Sequence, residues 1–360
     1  MSELRVNNIT DRVGSSGPII AGVSTVTSTS HMVMPSGPTE MRGGRGRGVF
    51  AGGNGSPSTT YVDTMSFITI ATTGNATDFG NLSQGVYSHG SAADSTRGVI
   101  AGGYDSPGGT SSKIQYTIIS SSGGSNDFGD LAVGFQYGGG CNSPTLAVFG
   151  GAWADTNDAI SSGGKNSNVL QFITIQTTGD STEFGDLTQR RQTDQALSNK
   201  TRGCFIGGAT YSSYPTYIST NIIDFVTFSS LGDAQDFGDL IRGDWGNGAA
   251  ANNTRGIIAG GQGGSSPFPK TNVIQFITIA TTGNAEDFGD LSTAPSYTTA
   301  LSSSTRVAIG GGASGSPTVR VNTIQFITIA STGNATDFGD LTIGVDQLSS
   351  FSDVNGGIGD

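Results

Sequence analysis

Short apolar runs closed by glycines recur along this chain with a steady beat. Each copy opens with Arg-Gly, three apolar residues and a double glycine, and a loop of varying length follows. Next comes the run x-I-Q-F-I-T-I-A-T-T-G, and the copy closes on D-F-G-D-L. The closing phenylalanine falls at Phe79, Phe128, Phe184, Phe237, Phe288 and Phe338, at intervals of 49, 56, 53, 51 and 50 residues. A period near fifty marks a repeated supersecondary unit. In the fifth copy, residues 255–261 read as a short apolar strand ended by glycines, and 262–271 as a loop carrying Pro267 and Pro269. Residues 272–280 are β-branched and aromatic, long enough for a strand and too short for a typical helix. Residues 281–284 carry turn chemistry. Residues 286–291 form another short extended piece, and 296–303 alternate loosely into the next arginine. Four short strands with short connections pair as a meander. One such sheet cannot bury both faces, and stacking sheets around an axis solves this. Six copies therefore predict an all-β, six-bladed β-propeller over residues 46–360, preceded by a short extended arm over 1–45.

The phase of the copies suggests how the ring closes. The first copy begins at a second strand, and residues 347–353 have the phase of an innermost strand. The C-terminal strand is expected to complete the first blade and cover an otherwise open edge; residues 34–41 are the alternative. The recurrent Phe reads as a packing knob between blades. Arg47, Arg97, Arg202, Arg255 and Arg306 are expected to reach Asp78, Asp127, Asp236, Asp287 and Asp337. Copy three departs from this, with Thr145 and Glu183 in those places.

Composition narrows the function. The 58 glycines suit tight turns, because glycine takes positive φ without steric cost. A net charge of −11 argues against a nucleic-acid partner, and the Arg42, Arg45, Arg47 cluster is too small to reverse that. Cys141 and Cys204 sit at different phases of different repeats, so a bridge between them is not expected. The chain shows no signal peptide and no apolar run of membrane length, which reads as folding in a reducing cytoplasm without membrane insertion.

Candidate chemistry is sparse. D-F-G resembles the kinase metal-binding triplet, but it occurs in every copy without the other kinase motifs. His31 and His89 are far apart in repeat phase, so no metal cluster is expected. No nucleophile elbow appears in a strand–turn–helix context. The Asp residues recur in every copy and read as structural. The expectation is a non-enzymatic protein without cofactor or metal.

The loop after the double glycine varies most between copies: 54–60, 104–112, 152–168, 209–220, 262–271 and 313–321. The turn after T-T-G barely changes, and the two kinds of loop should lie on opposite faces. The variable face carries Tyr104, Trp153, Tyr211, Tyr214, Tyr217 and Phe268, the candidate contact residues. Aromatic side chains beside Ser, Gly and Asn make good contact surfaces for protein or sugar.

The double glycines at Gly52–Gly53, Gly102–Gly103, Gly150–Gly151, Gly207–Gly208, Gly260–Gly261 and Gly311–Gly312 resemble the kelch repeat, with the Phe of D-F-G-D-L in the place of the kelch Trp. The opening M-S-E-L-R-V-N-N-I-T-D-R and the F-I-T-I-A-T-T-G…D-F-G-D-L copies resemble tail-fibre and other virion structural proteins of tailed phages, marine cyanophages in particular. That resemblance implies a virion protein made in the host cytoplasm. Residues 1–45 would dock to other virion structural proteins, and the propeller would face a host-surface glycan or protein. Further copies of the chain are a compatible partner. Its place would be a tail fibre, a tail-associated appendage or a capsid-surface decoration. A propeller enzyme acting on surface polysaccharide and a host kelch-type scaffold are the alternatives. A carboxylate cluster in the central pocket would favour the enzyme.

Overall fold

The computed structural model describes residues 46–56, 60–105, 108–154, 166–213, 216–264 and 266–354. The expected docking arm, 1–45, lies outside the described residues. Among these residues every regular element is a strand, and the sheets are arranged as a β-propeller.

Five sheets have four antiparallel strands in the same order, innermost to outermost. In the fifth repeat these are Gly248–Ala251, Arg255–Ala259, Val273–Thr278 and Glu286–Asp290. Six blades were expected, and five repeats form four-stranded blades of this kind. The second repeat instead folds into a seven-stranded sheet. Its third and fourth strands, Gly109–Ile118 and Asn126–Gln136, run for 10 and 11 residues. Their counterparts in the fifth repeat have 6 and 5. The extra length carries them into the loop region, where they pair with Tyr104–Asp105 and Trp153–Ala154. The second repeat's innermost strands, Gly90–Ala93 and Arg97–Ala101, keep the order seen elsewhere.

Hydrophobic packing lies between successive repeats. Phe288 packs with Ile257 and Ile274 of its own repeat and with Val307, Ile309 and Ile327 of the next. All six D-F-G phenylalanines are buried, none more than 3% exposed. Each such burial stabilises by roughly 1.5–3 kcal/mol. The backbone tightens the same seams. The T-T-G glycines Gly74, Gly123, Gly179, Gly232, Gly283 and Gly333 each donate an N–H to the preceding repeat's D-F-G phenylalanine carbonyl, at 2.7–2.9 Å. That approach requires glycine in D-F-G: a Cβ on Gly80 would lie 2.3 Å from the Gly123 oxygen. The glutamine of I-Q-F ties a second point. Gln275 Oε1 accepts the Ile241 N–H at 2.9 Å, and Gln325 Oε1 that of Ser292 at 2.8 Å.

The recurrent arginines do not pair with the aspartates before Phe. Arg255 lies over the Phe276 ring at 4.8 Å and donates to the Ile329 carbonyl of the next repeat at 2.9 Å. Arg47, Arg97, Arg202 and Arg306 do the same with Ile119, Ile175, Ile279 and Ile70. The reason is strand alternation. Ile257 stands opposite Phe276, so Arg255 shares their face, whereas Asp287 is registered with Gln275 on the other face. In the third repeat, register gives the arginine place to Leu146, not Thr145.

The innermost strand of the first sheet is Ser349–Ser352, antiparallel to Arg47–Ala51. In other repeats a hairpin links these two strands, and a side chain caps it. Asn252 Oδ1, for example, accepts the N–H groups of Thr254 and Arg255. Where the first sheet lacks that covalent hairpin, Asp353 Oδ1 accepts the N–H groups of Gly46 and Arg47 at 3.0 and 2.9 Å.

Candidate functional site: the loop face and its axial mouth

In a meander, connections between second and third strands lie on the same face as those leading from a fourth strand to the next repeat. The innermost strands are rich in Gly, Ala and Ser because they converge on one axis. Between them is a cavity of about 40 Å³, lined by residues such as Ala92, Ala250, Ser198 and Ser302.

At the loop-face end of the axis stand six residues of equivalent phase: Ser88, Tyr137, Asp194, Gly246, Tyr297 and Gln347. All have positive φ, between 54° and 65°. Five are not glycine, and such conformations persist only where surroundings enforce them. Here a hydrogen-bonded circuit enforces them. Ser88 N–H donates to Gln347 O (2.8 Å), Tyr137 N–H to Ser88 O (2.8 Å) and Asp194 N–H to Tyr137 O (3.1 Å). Thr298 N–H donates to Gly246 O (3.3 Å), and Gln347 N–H to Tyr297 O (3.0 Å). The remaining link differs, because Gly246 N–H donates to the Asp194 carboxylate at 3.1 Å.

A second cavity of about 20 Å³ lies within this ring, lined by Ser88, His89, Tyr137, Asp194, Asn247 and Tyr297 among others. Burial pushes the Asp194 carboxyl up to about 7, the Gly246 hydrogen bond opposing. Burial also lowers His89 to about 4, so the imidazole is neutral. Tyr137 and Tyr297 are raised by burial, with the neighbouring Tyr297 and Asp194 charges adding respectively. Gln347 Nε2 donates to the Tyr137 hydroxyl at 3.3 Å, and Trp245 Nε1 to that of Tyr297 at 3.1 Å.

Aromatic side chains gather in two groups on this face. Tyr104 meets Tyr87 at 5.4 Å and Tyr61 at 5.9 Å. Tyr217, 38% exposed, stacks on Trp245 at 6.1 Å, and Phe268 meets the same indole edge-on at 4.9 Å. Of the loop residues singled out by sequence, Tyr217 and Phe268 thus meet through Trp245, while Tyr104 belongs to the other group. Trp153 is half-buried and paired in register with Gln136. Tyr211 lies in the strand Ala209–Ser213, and Tyr214 is outside the described residues.

Sequence reasoning missed Tyr61, Tyr87, Tyr137, Asp194, Trp245 and Tyr297. All but Tyr61 lie just before an innermost strand, Tyr137, Asp194 and Tyr297 in one phase and Tyr87 and Trp245 one residue earlier, and that position before a small-residue run was the available signal. Cys141 and Cys204 are free and buried; burial raises both, Cys204 to about 12. Among the described residues no group of three or more His, Cys, Asp or Glu is placed to hold a metal ion. No helix there is long and apolar enough to cross a membrane. In comparison with known proteins, the chain matches no family model and no curated protein.

Proposed function

We propose that this chain is a non-enzymatic virion structural protein of the tailed-phage type, whose propeller presents its loop face for contact with a host-surface glycan or protein. The observation that carries the reading is the pair of aromatic groups flanking the axial mouth on one face. Tyr217 and Ile218 are exposed there, at 38% and 46%. Rings with a polar rim suit stacking against sugar faces or partner side chains. Gly46 and Asp353 meet on the opposite, hairpin face. The axial cavities supply one carboxylate, Asp194, whereas the usual glycoside-hydrolase chemistry uses two. This favours contact over catalysis.

We read the architecture as a kelch-like ring of six blades, with the seven-stranded sheet taking the sixth place. In support, that sheet contains the common four-strand order, and the Gly-to-Phe seam bonds visit every repeat.

Mass spectrometry of purified particles tests the virion assignment, and its absence from them refutes it. Tyr217→Ala and Phe268→Ala test the face. Tyr217→Ala is expected to change stability by less than about 0.5 kcal/mol. Both variants are expected to weaken adsorption to host cells. Folded variants with undiminished adsorption would remove the contact role from this face.

A further inference from the structure

Three buried carboxylates in this molecule have arginine partners, while Asp94 and Asp353 are held by several hydrogen-bond donors at the hairpin caps. Asp224 is held by Arg191 at 2.7 Å, with both side chains fully buried. Asp244 is held by Arg242 at 2.5 Å, and Asp346 by Arg320 at 3.0 Å. Asp194 has only the Gly246 N–H, through Oδ2. Among the described residues no Arg or Lys contributes to its electrostatic surroundings. A carboxylate removed from water needs a positive partner or must hold its proton.

The cavity beside it has unspent polar capacity. Asn247 is fully buried, and both its amide oxygen and its amide nitrogen lack a hydrogen-bond partner. Ser88 Oγ is likewise buried and unpartnered. Both residues line the same cavity as Asp194, beside the hydroxyl-bearing Tyr137 and Tyr297. Buried polar groups in native proteins are satisfied almost without exception, by protein, water or ion. About 20 Å³ is room for one water-sized occupant.

From these observations we propose that the axial mouth binds one monovalent metal cation, of the size of sodium or potassium, with Asp194 as its only charged ligand and neutral oxygens completing the shell. Charge balance selects the class: one carboxylate neutralises one positive charge. Calcium normally takes six to eight oxygens and more than one carboxylate, and zinc wants several nitrogen or sulfur donors, of which this cavity offers only the His89 ring. The cation takes the role that arginine plays at Asp224, Asp244 and Asp346. It also braces the ring, because the Asp194 carboxylate is itself the link to Gly246.

Thermal unfolding of the full chain at pH 8, in sodium, potassium or choline chloride at one ionic strength, tests the proposal. The melting temperature is expected to be higher in sodium or potassium than in choline, and to rise with the logarithm of that cation's concentration. Asp194→Asn keeps the shape and an acceptor for Gly246 N–H, and it is expected to abolish the difference between the salts. A wild-type chain melting alike in all three salts would overturn the proposal. So would an Asp194→Asn chain with undiminished cation dependence. Crystals soaked in thallium(I) give an independent reading: an anomalous peak beside Asp194 supports the site, and none there refutes it.

Discussion

At the scale of the residue, the arginines show how alternation decides partners. Arg255 and Asp287 are placed on opposite faces of one sheet, so their charges do not meet. Arg255→Ala is expected to cost about 1.5–3 kcal/mol, through loss of a charged hydrogen bond to Ile329 O and of the contact with Phe276. In a double-mutant cycle with Asp287→Ala the effects are expected to add within about 0.5 kcal/mol. A larger coupling would mean that the two charges interact. Phe288→Ala, at the seam between repeats, is expected to cost about 3–5 kcal/mol by chemical denaturation.

Two titrating residues at the mouth act in opposite senses over one pH range. Asp194 is raised from 3.8 to about 7. Below about 4 it is protonated whether folded or unfolded. As pH rises towards 7, the unfolded chain releases this proton and the folded chain retains it, so this group's contribution to stability falls. His89 is lowered from 6.5 to about 4. Its contribution is complete above about 6.5 and is lost as pH falls towards 4. In choline buffers, the melting temperature of Asp194→Asn minus that of wild type is expected to grow from pH 4 to pH 7 and then level off. A flat difference would mean that the carboxylate is not desolvated.

Elements in this fold depend on neighbours distant in sequence. The strand Ser349–Ser352 lies against Arg47–Ala51, and Asp353 caps Gly46 and Arg47 across 307 and 306 positions. A carboxylate accepting two N–H bonds does there what a covalent hairpin does elsewhere. Asp353→Ala is expected to cost about 1–3 kcal/mol. Deleting residues 345–360 is expected to unfold or aggregate the domain, because it exposes the edge of Arg47–Ala51. A truncated chain that stays monomeric with an unchanged melting temperature would show that the strand is dispensable. The long hairpin of the second repeat shows the converse. Its strands continue past their counterparts because unpaired backbone in the loop region finds partners at Tyr104–Asp105 and Trp153–Ala154.

For the molecule as a whole, the sequence by itself determined the all-β character and the propeller. Both follow from local periodicity repeated about every fifty residues, and each strand's apolar face is written within a few positions. The recurrent Phe was legible for the same reason, since a buried knob recurs wherever one repeat packs on the next. Only the tertiary structure decided that five sheets keep four strands while the second repeat gathers seven. Strand length in a loop region depends on which backbone lies nearby, and the periodic pattern is silent there. The tertiary structure also decided that Arg255 turns to the next repeat's carbonyl, because register, not spacing, assigns faces. The axial mouth was hidden for a related reason. Ser88, Tyr137, Asp194, Gly246, Tyr297 and Gln347 lie 49 to 57 residues apart along the chain. They become neighbours only when the ring closes. An isolated Asp between Thr193 and Gln195 carries no sign that closure will leave it in a small cavity, without an arginine, beside an unpartnered asparagine.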